Sequence, residues 1–271
     1  MCKRWQTGRE WMQFPVRCML NIGMKNRTIF ALPLLFCAIA APALWAQQGA
    51  AALPDAPSTT AQIQAPVQPS GPTVVLDTTL GRITCKLFYN QAPVTSQNFI
   101  DLAEGKKDWT DPVTHKLMHH KPLYNGTTFH RVIPGFMAQG GDPSGTGMGD
   151  TGYYFNNEPT PTLTFNVPGR LAMANSGPNT NSSQFFITEV PVPELNGGYN
   201  LFGQCDDAGV AVVQAITHVQ RDAQDKPLTP VVLKKVTIVR EGQPMPPLPA
   251  INPAEQQPLP TPRPPNAATG K

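Results

Sequence analysis

The chain has 271 residues, a formal charge of +3 and 40% hydrophobic content, but 31 prolines and only 14% charged residues, so part of it does not belong to a packed core. Its basic balance is concentrated at one end. Removing residues 1–46 takes away six basic residues and one acidic residue, leaving 15 against 17 and moving the charge to −2, with no Lys/Arg-rich run left to attract nucleic acid.

That first stretch holds the apolar run Ile29 to Trp45, IFALPLLFCAIAAPALW, preceded by Met24-Lys25-Asn26-Arg27 and followed by Ala46-Gln47. A positive region, an apolar stretch and a small residue at the cut are the grammar of a cleaved export signal. A spanning helix needs roughly 20 apolar residues, whereas this run is shorter and carries Pro33 and Pro42. Residues 1–46 are therefore expected to be an export signal with an upstream extension, and the protein to be periplasmic or secreted, with no stable membrane span after cleavage. Lipidation at Cys37 is disfavoured because Phe36 puts a bulky ring where such sites take a small residue.

Cleavage leaves two cysteines, Cys85 and Cys205, in an oxidising compartment. Cys85 lies in an alternating run with Ile83 and Leu87, so a buried, inert thiol is expected, with a Cys85 to Cys205 disulfide as the alternative.

Residues 47–71, rich in Gln, Ala, Pro and Ser, bury too little apolar surface to fold and are expected to be a disordered linker. Residues 243–271 are a proline-dense tail expected to be disordered or extended, with polyproline II character. One domain, residues 72–242, lies between them, without internal repeats. It opens with an alternating hairpin, Thr73 to Phe88, turning at Leu80-Gly81. A helix is predicted over Pro93 to Glu104, with Pro in its first turn, Thr95 and Ser96 as capping candidates and Gly105 as its stop. Short strands are predicted at Thr128 to Ile133, Phe136 to Gln139, Leu163 to Val167, Leu171 to Ala174, Gln184 to Thr188 and Leu201 to Gly203. A second helix fits Ala208 to Val219 and a last strand Val231 to Arg240. Many short strands with two helices indicate a barrel or a sandwich, and the pattern alone leaves both open.

Two segments carry candidate chemistry. FHRVIPGFMAQGGD, Phe129 to Asp142, sets Arg131 in an apolar strand beside Phe136, Met137 and Gln139: a greasy pocket with one strong donor, or a piece of ordinary core with a surface charge. MANSGPNTNSSQFFI, Met173 to Ile187, offers small and amide residues next to an aromatic pair, suited to gripping an extended peptide main chain or simply forming a turn into a strand. His130 has no Ser or Cys partner in view and is expected to be a satisfied structural histidine. His115 and His119 have i, i+4 spacing, but Pro112 and Pro122 make a helix there doubtful, so no metal site is expected.

Together the two segments resemble the cyclophilin family, from about Thr73 to Glu241 and in the family's order. The resemblance implies a mainly β fold, a closed eight-stranded antiparallel β-barrel capped by two α-helices. It implies a cofactor-free peptidyl-prolyl cis/trans isomerase that acts on proline-containing unfolded or extended polypeptides as a monomer. By the same resemblance Arg131 is catalytic. Phe136, Met137, Phe186 and Leu195 wall the proline pocket, and Gln139, Gln184, Ala174, Asn175 and Gly145 hold the peptide backbone and the residue before proline. Where many eukaryotic members carry a tryptophan this chain has Glu194, and where they carry a rim histidine it has Tyr199. Tyr199 keeps a ring with a polar tip; Glu194 puts a charge in place of a flat apolar contact, so cyclosporin is expected to bind weakly. A non-catalytic, proline-binding chaperone or scaffold is the alternative of a different class.

Overall fold

The computed structural model describes residues 67–248; the export signal, most of the linker and the end of the tail lie outside the described residues. In chain order the elements are β1 (Thr73–Thr78), β2 (Gly81–Leu87), α1 (Pro93–Glu104), β3 (Trp109–Thr110), β4 (Leu117–Met118), β5 (Arg131–Ile133), β6 (Met137–Gly140), β7 (Arg170–Met173), β8 (Phe185–Thr188), β9 (Leu201–Cys205), α2 (Asp207–Thr217) and β10 (Leu233–Val239). Eight strands make one antiparallel sheet in the order β10-β1-β2-β9-β7-β8-β6-β5, and β3 with β4 forms a small separate ribbon.

The sheet curls until its edges meet. Phe129 N–H donates to the Val231 carbonyl at 3.0 Å and Leu233 N–H to the Thr127 carbonyl at 2.8 Å, just outside β5 and at the start of β10. Backbone groups that would be orphaned at two sheet edges are thereby paired.

Alternation along the strands sorts side chains into two apolar clusters. The inner one holds Leu76, Ile83, Leu87, Val132, Ala138, Leu171, Phe185, Ile187 and Phe202, and both helices contribute to it, α1 through Phe99 and Leu102 and α2 through Val213 and Ile216. Phe99 stacks on Tyr124 at 4.6 Å and meets Phe185 edge-on at 5.5 Å. Burying such rings contributes about 2–3 kcal/mol each. The outer cluster, on the far side of the same strands, is built on Phe88, Met137, Phe165, Ala172 and Phe186.

Helix α1 begins and ends where the sequence predicts, but its cap is different. Ala92 occupies the cap position without a side-chain hydrogen bond, and Thr95 and Ser96 are buried inside the helix. The Glu158 carboxylate instead accepts from the N–H groups of Val94 and Thr95 at 3.0 and 2.8 Å, a distant acid satisfying the orphan donors. Helix α2 is capped locally, Asp206 accepting from Gly209 N–H at 2.7 Å.

Several other expectations are corrected. The segment Leu163 to Val167 is not a strand; Leu163 and Phe165 are buried, but Phe165 N–H goes to the Asn196 side chain rather than to a ladder. Residues 67–71, expected in the linker, contact the domain: Val67 packs on the outer cluster and Gly71 N–H donates to the Leu87 carbonyl. The inert thiols are also replaced, because Cys85 and Cys205 are direct partners in the β2–β9 ladder and are joined by a disulfide.

Candidate active site on the outer barrel wall

The register across four strands builds the site. One row, Val132, Ala138, Ile187 and Leu171, points inward and is fully buried. The adjacent row, Arg131, Gln139, Phe186 and Ala172, therefore points outward, since opposed residues in a ladder share a face. Next to it Ile133 and Met137 form a second outward pair. Strand pairing alone thus places a guanidinium, an amide and four apolar side chains on one patch of the outer wall.

Around that patch the outer cluster gathers Phe136, Met137, Ala174, Phe186, Leu195 and Tyr199. Met137 and Phe186 are buried, while Phe136, Ala174, Leu195 and Tyr199 are half-buried. The Tyr199 ring meets Phe186 edge-on, centroids 5.4 Å apart, and Phe165 stacks on Phe186 at 5.9 Å. The apolar floor is held by two aromatic contacts, with little freedom to collapse. Glu194 is exposed on the short 3-10 turn Pro193–Leu195.

The polar side of the patch is a chain of amides. Gln139 donates to the Gln184 side-chain oxygen at 3.0 Å, and Gln184 donates to the Gly147 carbonyl at 3.1 Å. Ala174 N–H reaches the Gln184 carbonyl at 2.9 Å, and Asn175 donates to the Gly198 carbonyl at 3.0 Å. Gly145 lies in the loop of residues 142–149, which is folded around the buried Asp142 carboxylate. That carboxylate accepts from Ser144 N–H at 2.8 Å, Gly147 N–H at 2.7 Å and Gly149 N–H at 3.1 Å. Burial pushes the Asp142 carboxyl up, but these donors outweigh it and hold it below the usual carboxylate range.

His130, beside Arg131, is buried, and among the described residues its ring nitrogens make no hydrogen bond of good geometry, so the expectation of a satisfied histidine is not met. The loop glycine Gly147 packs against its ring, so a β-carbon there would come within 3.1 Å of the imidazole. Desolvation lowers the His130 pKa, against the pull of the nearby Asp142 carboxylate. The unfolded chain therefore takes up a proton near pH 6.5 that the native state still refuses, and stability falls as pH drops through and below that value. His130→Gln is expected to flatten the decline of Tm between pH 7 and 5; an unchanged slope in thermal melts would show that His130 does not cause it.

Sequence reasoning missed two carboxylates that serve this patch. Glu189, buried at the end of β8, accepts from Gly135 N–H at 2.8 Å and from the Thr217 hydroxyl at 2.6 Å, tying the Pro134-Gly135 turn that carries Phe136 to the end of α2. Asp225, in the loop before β10, lies 4.0 Å from the Arg131 guanidinium. Its local Asp-Lys-Pro sequence marks a turn, but nothing in it announces which strand the turn reaches.

Among the described residues no group of three or more His, Cys, Asp or Glu is placed to hold a metal ion, and His119 instead pairs with Asp108 at 2.8 Å. No helix of the described residues is long and apolar enough to cross a membrane.

Residues 73–238 match the family model described as cyclophilin type peptidyl-prolyl cis-trans isomerase/CLD. The chain is similar to peptidyl-prolyl cis-trans isomerase A of Mycobacterium tuberculosis, 48% identical over 167 residues that cover 61% of this chain and 91% of that one. It is also similar to peptidyl-prolyl cis-trans isomerase B of Streptomyces anulatus, 46% identical over 60% of this chain and 94% of the relative. Among solved structures, a cyclophilin type peptidyl-prolyl cis-trans isomerase of Cryptosporidium parvum superposes with a TM-score of 0.54 at 35% identity, covering 62% of this chain and 98% of that one. The same protein solved in the presence of the dipeptide Ala-Pro gives 0.53 at 35% identity, covering 61% and 98%.

Proposed function

Because the chain belongs to the cyclophilin-type peptidyl-prolyl cis-trans isomerase family, we propose that it rotates X-Pro peptide bonds on the outer-wall patch, with Arg131 as the catalytic donor. The observation that carries this reading is the register row that sets Arg131 and Gln139 beside the buried ring of Phe186. A similar structure was solved in the presence of Ala-Pro, which fits a patch with an apolar floor for a pyrrolidine ring and an amide edge for the residue before it. In this reading Phe136, Met137, Phe186, Leu195 and Tyr199 receive the ring, and Gln139, Gln184, Ala174, Asn175 and Gly145 hold the backbone.

The X-Pro bond has partial double-bond character and a rotation barrier of roughly 18–20 kcal/mol. No bond is broken, so no nucleophile is required. Rotation ends amide resonance and localises the lone pair on the proline nitrogen. A guanidinium N–H aimed at that nitrogen is bonded more strongly in the twisted state than in either planar one, which is the condition for acceleration. Lowering the barrier by about 8 kcal/mol would give on the order of a millionfold. One donor supplies only part of that. The remainder comes from holding the ring in a pre-formed apolar floor while the amide edge fixes the other end, so that binding energy is spent on the twist.

The test is an NMR exchange or protease-coupled assay on an Ala-Pro peptide. Acceleration of the cis/trans interconversion supports the reading; tight binding without acceleration would make the domain a proline-binding module instead.

Export of the mature domain is part of the same proposal. It is supported by the signal grammar of residues 24–46 and by the bonded Cys85–Cys205 pair, which suits an oxidising compartment. Its clients would then be unfolded exported chains. The exposed Glu194 also supports weak inhibition by cyclosporin: Glu194→Trp is expected to tighten the inhibition constant by about tenfold or more, as one buried aromatic contact of a hot-spot kind contributes. An unchanged constant would mean that residue 194 does not limit the inhibitor.

A further inference from the structure

We propose that Asp225 is a positioning residue for Arg131, a carboxylate that lets two arginines coexist at the edge of the groove. The proposal rests on the reading of Arg131 as the catalytic donor. Asp225 stands between Arg131 and Arg221: one carboxylate oxygen lies 4.0 Å from the Arg131 guanidinium and the other accepts from Arg221 Nε at 3.0 Å. Arg131 is half-exposed, and the ion-pair partner it has among the described residues is this one. Without the negative charge, a guanidinium free to choose rotamers would face a second guanidinium at the groove edge, and like-charge repulsion would push it off the proline nitrogen.

The loop that carries the carboxylate is braced by its backbone. Asp225 adopts φ 64°, a left-handed conformation uncommon for a residue with a β-carbon. Its carbonyl accepts from Val132 N–H at 2.8 Å, so the loop is stitched to β5 at the residue directly after Arg131. Within the loop, Asp222 accepts from the N–H groups of Gln224 and Lys226 at 2.9 Å, Asp225 N–H reaches the Asp222 carbonyl at 3.2 Å, and Arg221 bridges Pro227. A residue kept in a sparsely populated conformation by such bracing, with its charge directed at a half-exposed arginine, fits the pattern of strain held at a functional site.

The test compares five proteins on an Ala-Pro peptide, with kcat and KM separated and thermal melts alongside. Asp225→Asn tolerates the left-handed turn and keeps an acceptor for Arg221 while removing the charge. It is expected to lower kcat about fivefold, the upper range for an exposed pair, with KM within twofold and Tm unchanged. Asp225→Gly is expected to lose the same factor in kcat while holding or raising Tm, separating catalysis from loop stability. Adding Arg221→Gln to Asp225→Asn removes the repulsion and should return kcat to within twofold of the parent. Raising salt should narrow the gap between Asp225→Asn and the parent, since the repulsion between the two exposed guanidinium groups is screened. A kcat for Asp225→Asn within twofold of the parent, or no recovery in the double variant, overturns the inference while leaving Arg131 as the donor. Full activity of Arg131→Ala would instead overturn the underlying reading, and this one with it.

Discussion

Arg131→Ala is expected to lower kcat/KM on an Ala-Pro peptide by about a hundredfold to a thousandfold, the range found when one pre-organised donor is removed from a site that stabilises developing charge. The fold should survive the change. The Arg131 side chain is on the outer wall and half-exposed, its ion pair with Asp225 is long, and the inward neighbour Val132 carries the packing of that strand. Melting temperature should therefore move little, and the loss should be one of rate rather than of structure. Arg131→Lys keeps the charge but replaces a planar fork of donors with a hydrated point charge, so it should recover only a minor part of the rate. Because a guanidinium stays protonated through the whole working range, the parent rate should be flat with pH near neutrality. Retention by Arg131→Ala of a rate within threefold of the parent would remove the arginine from the mechanism.

Breaking the bond between Cys85 and Cys205 should cost about 2–4 kcal/mol of stability, because the cross-link closes a long loop in the unfolded chain. The two residues are 120 apart in sequence yet directly opposed in the ladder between β2 and β9. Both are buried among inner-cluster residues, so the reduced pair would also leave two thiols without polar partners in an apolar setting. Urea unfolding with and without reductant measures the difference, and thiol titration of the unfolded, unreduced mature protein should find neither cysteine free. The β2–β9 ladder does not contain Arg131 or the Phe186 floor, so activity at 25 °C should persist after reduction. Two titratable thiols in the unreduced protein would exclude the bond.

What was legible in the sequence follows from the range of the interactions involved. Helix α1 was readable to its end residues because Pro93, the apolar face of Phe99 and Leu102, and the Gly105 stop are all local. Its cap was not, because the oxygen that satisfies Val94 and Thr95 belongs to Glu158, more than sixty residues away. The site residues Arg131 to Gln139 and Ala174 to Phe186 were found through family-like motifs. Their common origin in one outward register row emerges only when β5, β6, β8 and β7 are aligned. Alternation in Ile83, Cys85 and Leu87 predicted burial of Cys85 correctly but said nothing about its partner across the ladder. Leu163 to Val167 is not a strand although its apolar run signals burial: Leu163 N–H turns back to the Thr160 carbonyl and Phe165 N–H goes to the Asn196 side chain, so no ladder forms. Asp225 and Glu189 were invisible for the same reason as Glu158: each works at a distance that only the folded chain reveals.

The meeting of the two sheet edges bears on when the protein becomes an enzyme. Phe129 is bonded to Val231, and Val132 to Asp225, so the strand that carries Arg131 is flanked by backbone bonds to segments near the end of the domain. A chain that emerges N-terminus first would present its proline floor, Phe136 to Phe186, well before the residues that brace the arginine. A nascent domain stopped between residues 200 and 224 would hold every residue assigned to the groove and still lack the stitching that orients the donor. Catalytic competence would then arrive late and abruptly during synthesis, as a property of the completed ring rather than of the residues that line the groove.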